Sequence, residues 1–91
     1  AIKYYKEAIV INNNIKFLYS IGLCYEKMND NKNAAKYFKN VIKQNPDHVN
    51  SRTKLIELYL LLSKSREAKK ECEIIYMLDR SVYNSIEFCN K

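Results

Sequence analysis

Asp47 and His48 stand side by side just after the chain's single proline, Pro46, and are the nearest thing in the sequence to a general acid–base pair. A carboxylate beside an imidazole can fix its tautomer and orientation, but proton-transfer catalysis also needs a nucleophile or an oxyanion donor close by, and no such set surrounds them. Glu67, Glu71 and Glu73 form the other dense group of titratable side chains. They share a helical pattern with Lys69 and Lys70, so ion pairing with near neighbours is expected to account for them. Cys24, Cys72 and Cys89 and the single histidine are spread across the chain without CxxC or HxxxH spacing, and no metal site is expected. The cysteines also lack close pairing. Cys24 and Cys72 fall at apolar-periodic positions, as small hydrophobes do in reduced cores, so no disulfide framework is expected. These residues imply no catalytic centre and no cofactor, although an enzyme elsewhere in a parent protein is compatible with them.

The positive balance invites a polyanionic partner. The 91 residues carry a net charge of +6, from 16 lysines and arginines against 10 acids. A clustered basic surface would release counterions from a nucleic acid or dock on an acidic membrane. Here the lysines are spread between glutamates along almost every helical stretch, the pattern of a solvated face, and heavy use of Lys, Asn, Ile and Tyr also fits an AT-rich genome. The longest apolar run, residues 58–62, is far below the roughly 20 residues of a membrane span, and no basic-then-apolar leader is visible. The expectation is a soluble protein in a cytoplasmic or otherwise intracellular, reducing compartment, cut from a longer chain.

Apolar residues recurring at three and four predict helices throughout. The first covers 1–11, with Ala1, Tyr4, Tyr5, Ala8, Ile9 and Ile11, and stops at an asparagine triplet. The next, 15–28, gathers Leu18, Ile21, Gly22, Tyr25 and Met28 on one face. A tight polar turn at 29–32 leads to a helix over 33–44, with Ala34, Tyr37, Phe38, Val41 and Ile42 inward, which Pro46 ends. A fourth helix, 49–62, has Leu55, Leu58, Tyr59 and Leu62 on its face and Asp47 or Asn50 as cap. After a turn at 63–65, a fifth covers 66–78 with Ala68, Cys72, Ile75 and Tyr76 inward. The chain breaks at 79–81, and from Val82 another helical face begins with Ile86 and Cys89. No strand signal is present. Gly22, the only glycine, lies inside a helix, where glycine costs about 1 kcal/mol relative to alanine, so a close helix approach is expected there. Ala34 would face it, with Tyr25 and Phe38 filling the ends.

The stretches overlay one another. Ala34, Phe38, Val41 and Pro46 repeat Ala1, Tyr5, Ala8 and Asn13 at an offset of 33, and Ala68, Cys72, Ile75 and Arg80 follow at 34. Ile21 and Tyr25 match Leu55 and Tyr59 at the same 34. At Leu18, Ile21, Gly22, Tyr25, Ala34, Phe38, Val41 and Pro46 the sequence resembles the tetratricopeptide repeat family, whose unit is a helix pair of about 34 residues. The resemblance implies an all-α, right-handed helical-hairpin solenoid of about two full helix pairs with flanking partial repeats. Residues 1–14 would be the second helix of a preceding repeat, 15–48 a well-formed repeat, 49–82 a divergent one and 83–91 the start of a next repeat or a capping helix. In the divergent unit Arg52, Ile56, Cys72 and Arg80 stand where a large apolar residue, glycine, an aromatic and proline are usual. Ile56 implies a wider helix crossing or a shifted partner.

What the resemblance implies about function is recognition of a protein partner, as a peptide or helix, in a concave groove lined by the first helices of the pairs. The side chains opposite the core face would be Lys16, Tyr19, Ser20, Leu23, Glu26 and Lys27, followed by Asn50, Thr53, Lys54, Glu57, Leu60 and Leu61. Leu60 and Leu61 add apolar surface that Leu55, Leu58 and Tyr59 do not need for the core, the mark of a covered surface. Two alternatives come from other classes. Some family members clamp a chaperone's carboxylate tail with lysine, asparagine and arginine, but here Ser20 and Asn50 replace two of the three and Lys54 alone keeps a cation. Residues 55–77 also look like a pentatricopeptide unit, a single-stranded RNA binder, whereas Gly22, Ala34, Phe38 and Pro46 do not fit that pattern. With Tyr25, Tyr37 and Tyr59 committed to the core, nucleic acid is not expected as partner, nor is a membrane.

Overall fold

The computed structural model describes residues 14–90. The helix expected over 1–11, the first two asparagines of its stop and all of the partial repeat over 1–14 but Asn14 lie outside the described residues; Asn14 opens the first described helix instead of ending the connection. Five helices follow in order: α1 (Asn14–Lys27), α2 (Asn31–Gln44), α3 (Val49–Leu61), α4 (Ser65–Leu78) and the short α5 (Arg80–Ser85), closed by a 3-10 turn over Glu87–Asn90. There is no strand among them, and no helix among the described residues is long and apolar enough to cross a membrane.

Capping chemistry sets the boundaries. Asp30 Oδ1 accepts from the Asn33 backbone N–H at 3.3 Å, and the Asn33 amide donates to Asp30 Oδ2 at 2.8 Å, so α2 starts two residues before the expected point. Neither Asp47 nor Asn50 caps α3. His48 does, its Nδ1 accepting from the Ser51 N–H at 3.2 Å, because the loop after Pro46 turns the imidazole, not the carboxylate, over the helix end.

Both hairpin turns have the same geometry, 34 residues apart. Asn29 and Ser63 each adopt φ 61°. The Asp30 N–H donates to the Tyr25 carbonyl at 2.9 Å and the Asn29 N–H to the Glu26 carbonyl at 3.0 Å. Their counterparts are Lys64 to Tyr59 at 2.7 Å and Ser63 to Leu60 at 3.2 Å. This left-handed stop satisfies the last helical carbonyls and reverses the chain, so α1 returns on α2 and α3 on α4. Asparagine tolerates the conformation; serine at 63 carries it at some cost, being neither glycine nor asparagine. The two hairpins stack through α2 and α3 into an elongated all-α solenoid of 48 × 26 × 17 Å.

Phe38, Val41, Leu55, Ile56, Leu58 and Ile75 are fully buried along the stack. The close approach at Gly22 is made by a different neighbour from the one expected. A Cβ there would meet Cε1 of Phe38 at 2.8 Å, not Ala34, because one edge of that ring lies against the glycine. In the second hairpin the equivalent positions are Ile56 and Cys72, both buried in the same core. Large and small have changed places. Ile56 therefore occupies room that a smaller partner leaves. Three further side chains depart from their expected faces: Cys24 and Met28 are exposed at the end of α1, and Tyr76 is exposed on α4.

The tail departs most. Asp79 ends α4 and at once caps α5, its Oδ1 accepting from the Val82 N–H at 3.1 Å, so the four-residue linker that holds Pro46 has no counterpart at Arg80. Ile86 adopts an extended backbone and breaks the helical face expected from Val82. The chain then folds back on α4. Cys89 reaches Cys72, with 5.4 Å between Cα atoms, and the two form a disulfide, against the expectation of unpaired thiols. Their separation of 17 residues hid the pair; the bend at Ile86 makes it. Cys24 is the free cysteine among the described residues, and the argument from unpaired thiols to a reducing compartment loses its premise.

Candidate partner-binding surface

His48 and Glu71 are in structural use. His48 caps α3 through Nδ1, and its ring lies 5.3 Å from that of Tyr19. Acceptance at Nδ1 places the proton of the neutral ring on Nε2. Glu71 does not pair with Lys69 or Lys70. Its Oε1 lies 2.7 Å from Nη1 of Arg52, a buried ion pair between α3 and α4, because Glu71 faces the inside of its helix. Arg52 also donates through Nε to the Pro46 carbonyl at 2.9 Å, which ties the linker between the hairpins to α3. Among the described residues no group of three His, Cys, Asp or Glu side chains gathers that could hold a metal.

α1 and α3 are bridged where a groove was expected. Lys54 Nζ and Glu26 Oε1 are 3.2 Å apart across them. Partial burial opposes the charge on Lys54, but the bond to Glu26 and the fields of Glu26, Glu57 and Tyr19 outweigh it and hold the ammonium above the usual lysine range. Of the remaining groove candidates, Lys16, Ser20, Lys27, Asn50, Glu57, Leu60 and Leu61 are exposed. Leu23 is half-buried against the core, and Tyr19 is held between Phe38 and His48, each 5.3 Å away, as part of the joint between hairpins. Thr53 is half-buried and donates its hydroxyl to the Val49 carbonyl at 3.0 Å. Leu60 is 39 % and Leu61 68 % exposed, whereas Leu55 and Leu58 are fully buried.

Tyr59 sits below this surface, and burial together with the charges of Glu71 and Glu67, against the opposing charge of Arg52, pushes its phenol up to about 12. A phenol is neutral when protonated, so the fold favours the protonated form. Its contribution is complete below the unfolded value of roughly 10 and is lost as pH rises through about 12. The melting temperature is expected to fall between those values, and Tyr59→Phe should flatten the fall. Lys54 loses stability in the same alkaline direction and accounts for a residual slope in Tyr59→Phe. An unchanged slope in the variant would contradict the assignment to Tyr59.

The family model described as tetratricopeptide repeat matches residues 15–48, the span of α1, α2 and the linker with Pro46. Those 34 of the 91 residues are similar to a tetratricopeptide repeat in sequence and form its helix pair. No curated protein and no solved structure matches the chain. Within the repeat Gly22, Ala34, Phe38 and Val41 are buried, while Leu18, Ile21 and Tyr25 are half-buried. Pro46 is exposed and acts through its backbone, keeping Asn45 out of the helical conformation and offering its carbonyl to Arg52. Tetratricopeptide repeats serve in general as protein–protein interaction modules and not as catalytic centres.

One feature escaped the sequence reading. Charge is not dispersed on α2, which carries Lys32, Lys36, Lys39 and Lys43 and no acid. The signal was there in the intervals of four, three and four residues, which put all four on one side of a helix.

Proposed function

We propose that the chain is a non-catalytic scaffold whose concave face, formed by α1 and α3, holds a peptide or helical segment of a partner protein. In this reading α3–α4 works as a second, divergent repeat over 49–82, and residues 83–91 cap the stack. The observation that supports it is the pair Leu60 and Leu61, left exposed on α3 beside leucines that are fully buried. Contiguous exposed apolar side chains on a groove helix suit the apolar stripe of an amphipathic segment.

Other readings find less support. Lys54, the single cation left for a carboxylate clamp, is occupied by Glu26. Tyrosines that would stack on bases are engaged elsewhere: Tyr25 stacks on Tyr37 with ring centroids 5.6 Å apart, and Tyr59 is buried.

Leu60→Ser with Leu61→Ser, placed in the full protein, tests the groove. Leu61 is largely wet and Leu60 partly so, and melting should fall by no more than a few degrees. Proteins co-purified with the wild type and identified by mass spectrometry should fall about tenfold. A melting temperature lowered well beyond that, with the same proteins retained, would sink the proposal.

A further inference from the structure

We propose that the lysine-rimmed hollow between α2 and the α3–α4 turn is a second binding site, separate from the concave face, which takes an extended acidic peptide with one apolar side chain anchored in the hollow. Its volume is about 350 Å³, within the range of small-ligand pockets. The rim is Lys32, Lys36, Lys39 and Lys43 from α2, with Lys64 facing them from the turn. The floor is apolar: Ala35 and Tyr59, both buried, and Leu62.

None of these five lysines has a carboxylate within 4 Å among the described residues; the ion pairs of the fold lie elsewhere, at Arg52–Glu71 and Lys54–Glu26. Lys39 has an aromatic neighbour, its Nζ 5.5 Å from the Tyr59 ring centre. Like charges three and four residues apart repel along a helix, and an anion laid on the stripe would relieve that repulsion. Of the acids near them in sequence, Asp30 caps α2, and Asp47 and Glu67 make no ion pair with these lysines among the described residues.

Pitch and shape favour a peptide over a nucleic acid. Lys32 to Lys43 covers about 16 Å of helix. Alternate side chains of an extended peptide recur every ~6.7 Å, so three carboxylates in that register span about 13 Å and stay within the stripe. The residue between two of them points the other way or, at a bend, into the hollow. Tyr59 is only 6 % exposed, too little ring surface for a base to stack on.

The test uses residues 1–91 and a short fluorescein-labelled peptide with glutamate at alternate positions and one central leucine, followed by anisotropy at low salt. Saturable binding is expected. Lys36→Glu with Lys39→Glu should weaken it about tenfold or more. Arg66→Glu with Lys70→Glu changes net charge equally on exposed positions of α4 and should weaken it less than about threefold. Circular dichroism checks that both variants keep their helix. Replacing the peptide's leucine with glycine, which needs no change in the protein, should cost about tenfold in affinity. The proposal is overturned by equal weakening in the two variants, which would mean net charge alone. It is overturned equally by the absence of saturable binding, by indifference to the leucine, or by displacement of the peptide by single-stranded RNA of matched charge at lower concentration.

Discussion

Glu71→Ala is expected to lower the unfolding free energy by about 3–5 kcal/mol, a shift of roughly 15 °C or more in melting temperature. The magnitude comes from what is left behind. Arg52 and Glu71 meet at 2.7 Å with side-chain exposures of only 9 % and 11 %, so the truncation strands a guanidinium in the interior. The Arg52 bond to the Pro46 carbonyl is then held by a side chain without its counter-charge, and the linker between hairpins loosens with it. Thirty-four residues earlier the equivalent positions are taken by Leu18 and Tyr37, both half-buried and without charge. Arg52→Leu with Glu71→Tyr should therefore fall within about 1–2 kcal/mol of the wild type, or above it, because buried ion pairs are often replaced by apolar residues at no loss. Urea and thermal unfolding of the two single variants and the double separate these cases. A neutral Glu71→Ala would show that the pair is solvated in solution. The phenol of Tyr59 gives an internal check, since Glu71 is among the causes that raise it and its removal should bring that titration down.

Local periodicity made the four long helices of residues 14–78 legible, and the offset of 34 made the hairpins legible, because the same seam is written twice. Contacts between helices were not legible. Glu71 lies one to two residues from Lys69 and Lys70, so a linear reading hands it to them; only the fold brings Arg52, 19 residues away, to its carboxylate. The disulfide is hidden in the same way, since Cys89 reaches Cys72 through a bend at Ile86 that no proline or glycine announces. Ser63 copies the left-handed turn of Asn29 without its usual residue type. On the candidate surfaces, Leu60 and Leu61 were visible as surplus apolar residues on an otherwise filled helix. Tyr19 looked like a groove residue by angle alone, but its ring is long enough to reach back to Phe38 and His48. The lysine stripe was missed because charge was averaged over the chain, where the glutamates of α4 dilute it, and not helix by helix.

Gly22→Ile should destabilise the fold by about 2–3 kcal/mol, or roughly 10–20 °C in melting temperature, although isoleucine is the better helix former. A single added carbon already meets Cε1 and Cζ of Phe38 at 2.8 and 2.9 Å, and that ring is fully buried. Phe38→Cys alone should cost about 3–5 kcal/mol through the cavity that it opens. Together the two changes place the residue types of Ile56 and Cys72 in the first hairpin, although there the cysteine lacks the Cys89 sulfur that is bonded to Cys72 in the second. The double variant should then recover much of the loss, with a coupling of about 2–3 kcal/mol between the sites in a double-mutant cycle followed by circular dichroism. Strict additivity would mean that Gly22 and Phe38 do not share one space, and the exchange of large and small between the hairpins would be coincidence. Strong coupling would make it the rule by which the divergent hairpin keeps its helices at the spacing of the regular one: what the glycine gives up in side chain, its opposite number supplies, and the reverse holds one turn of the solenoid later.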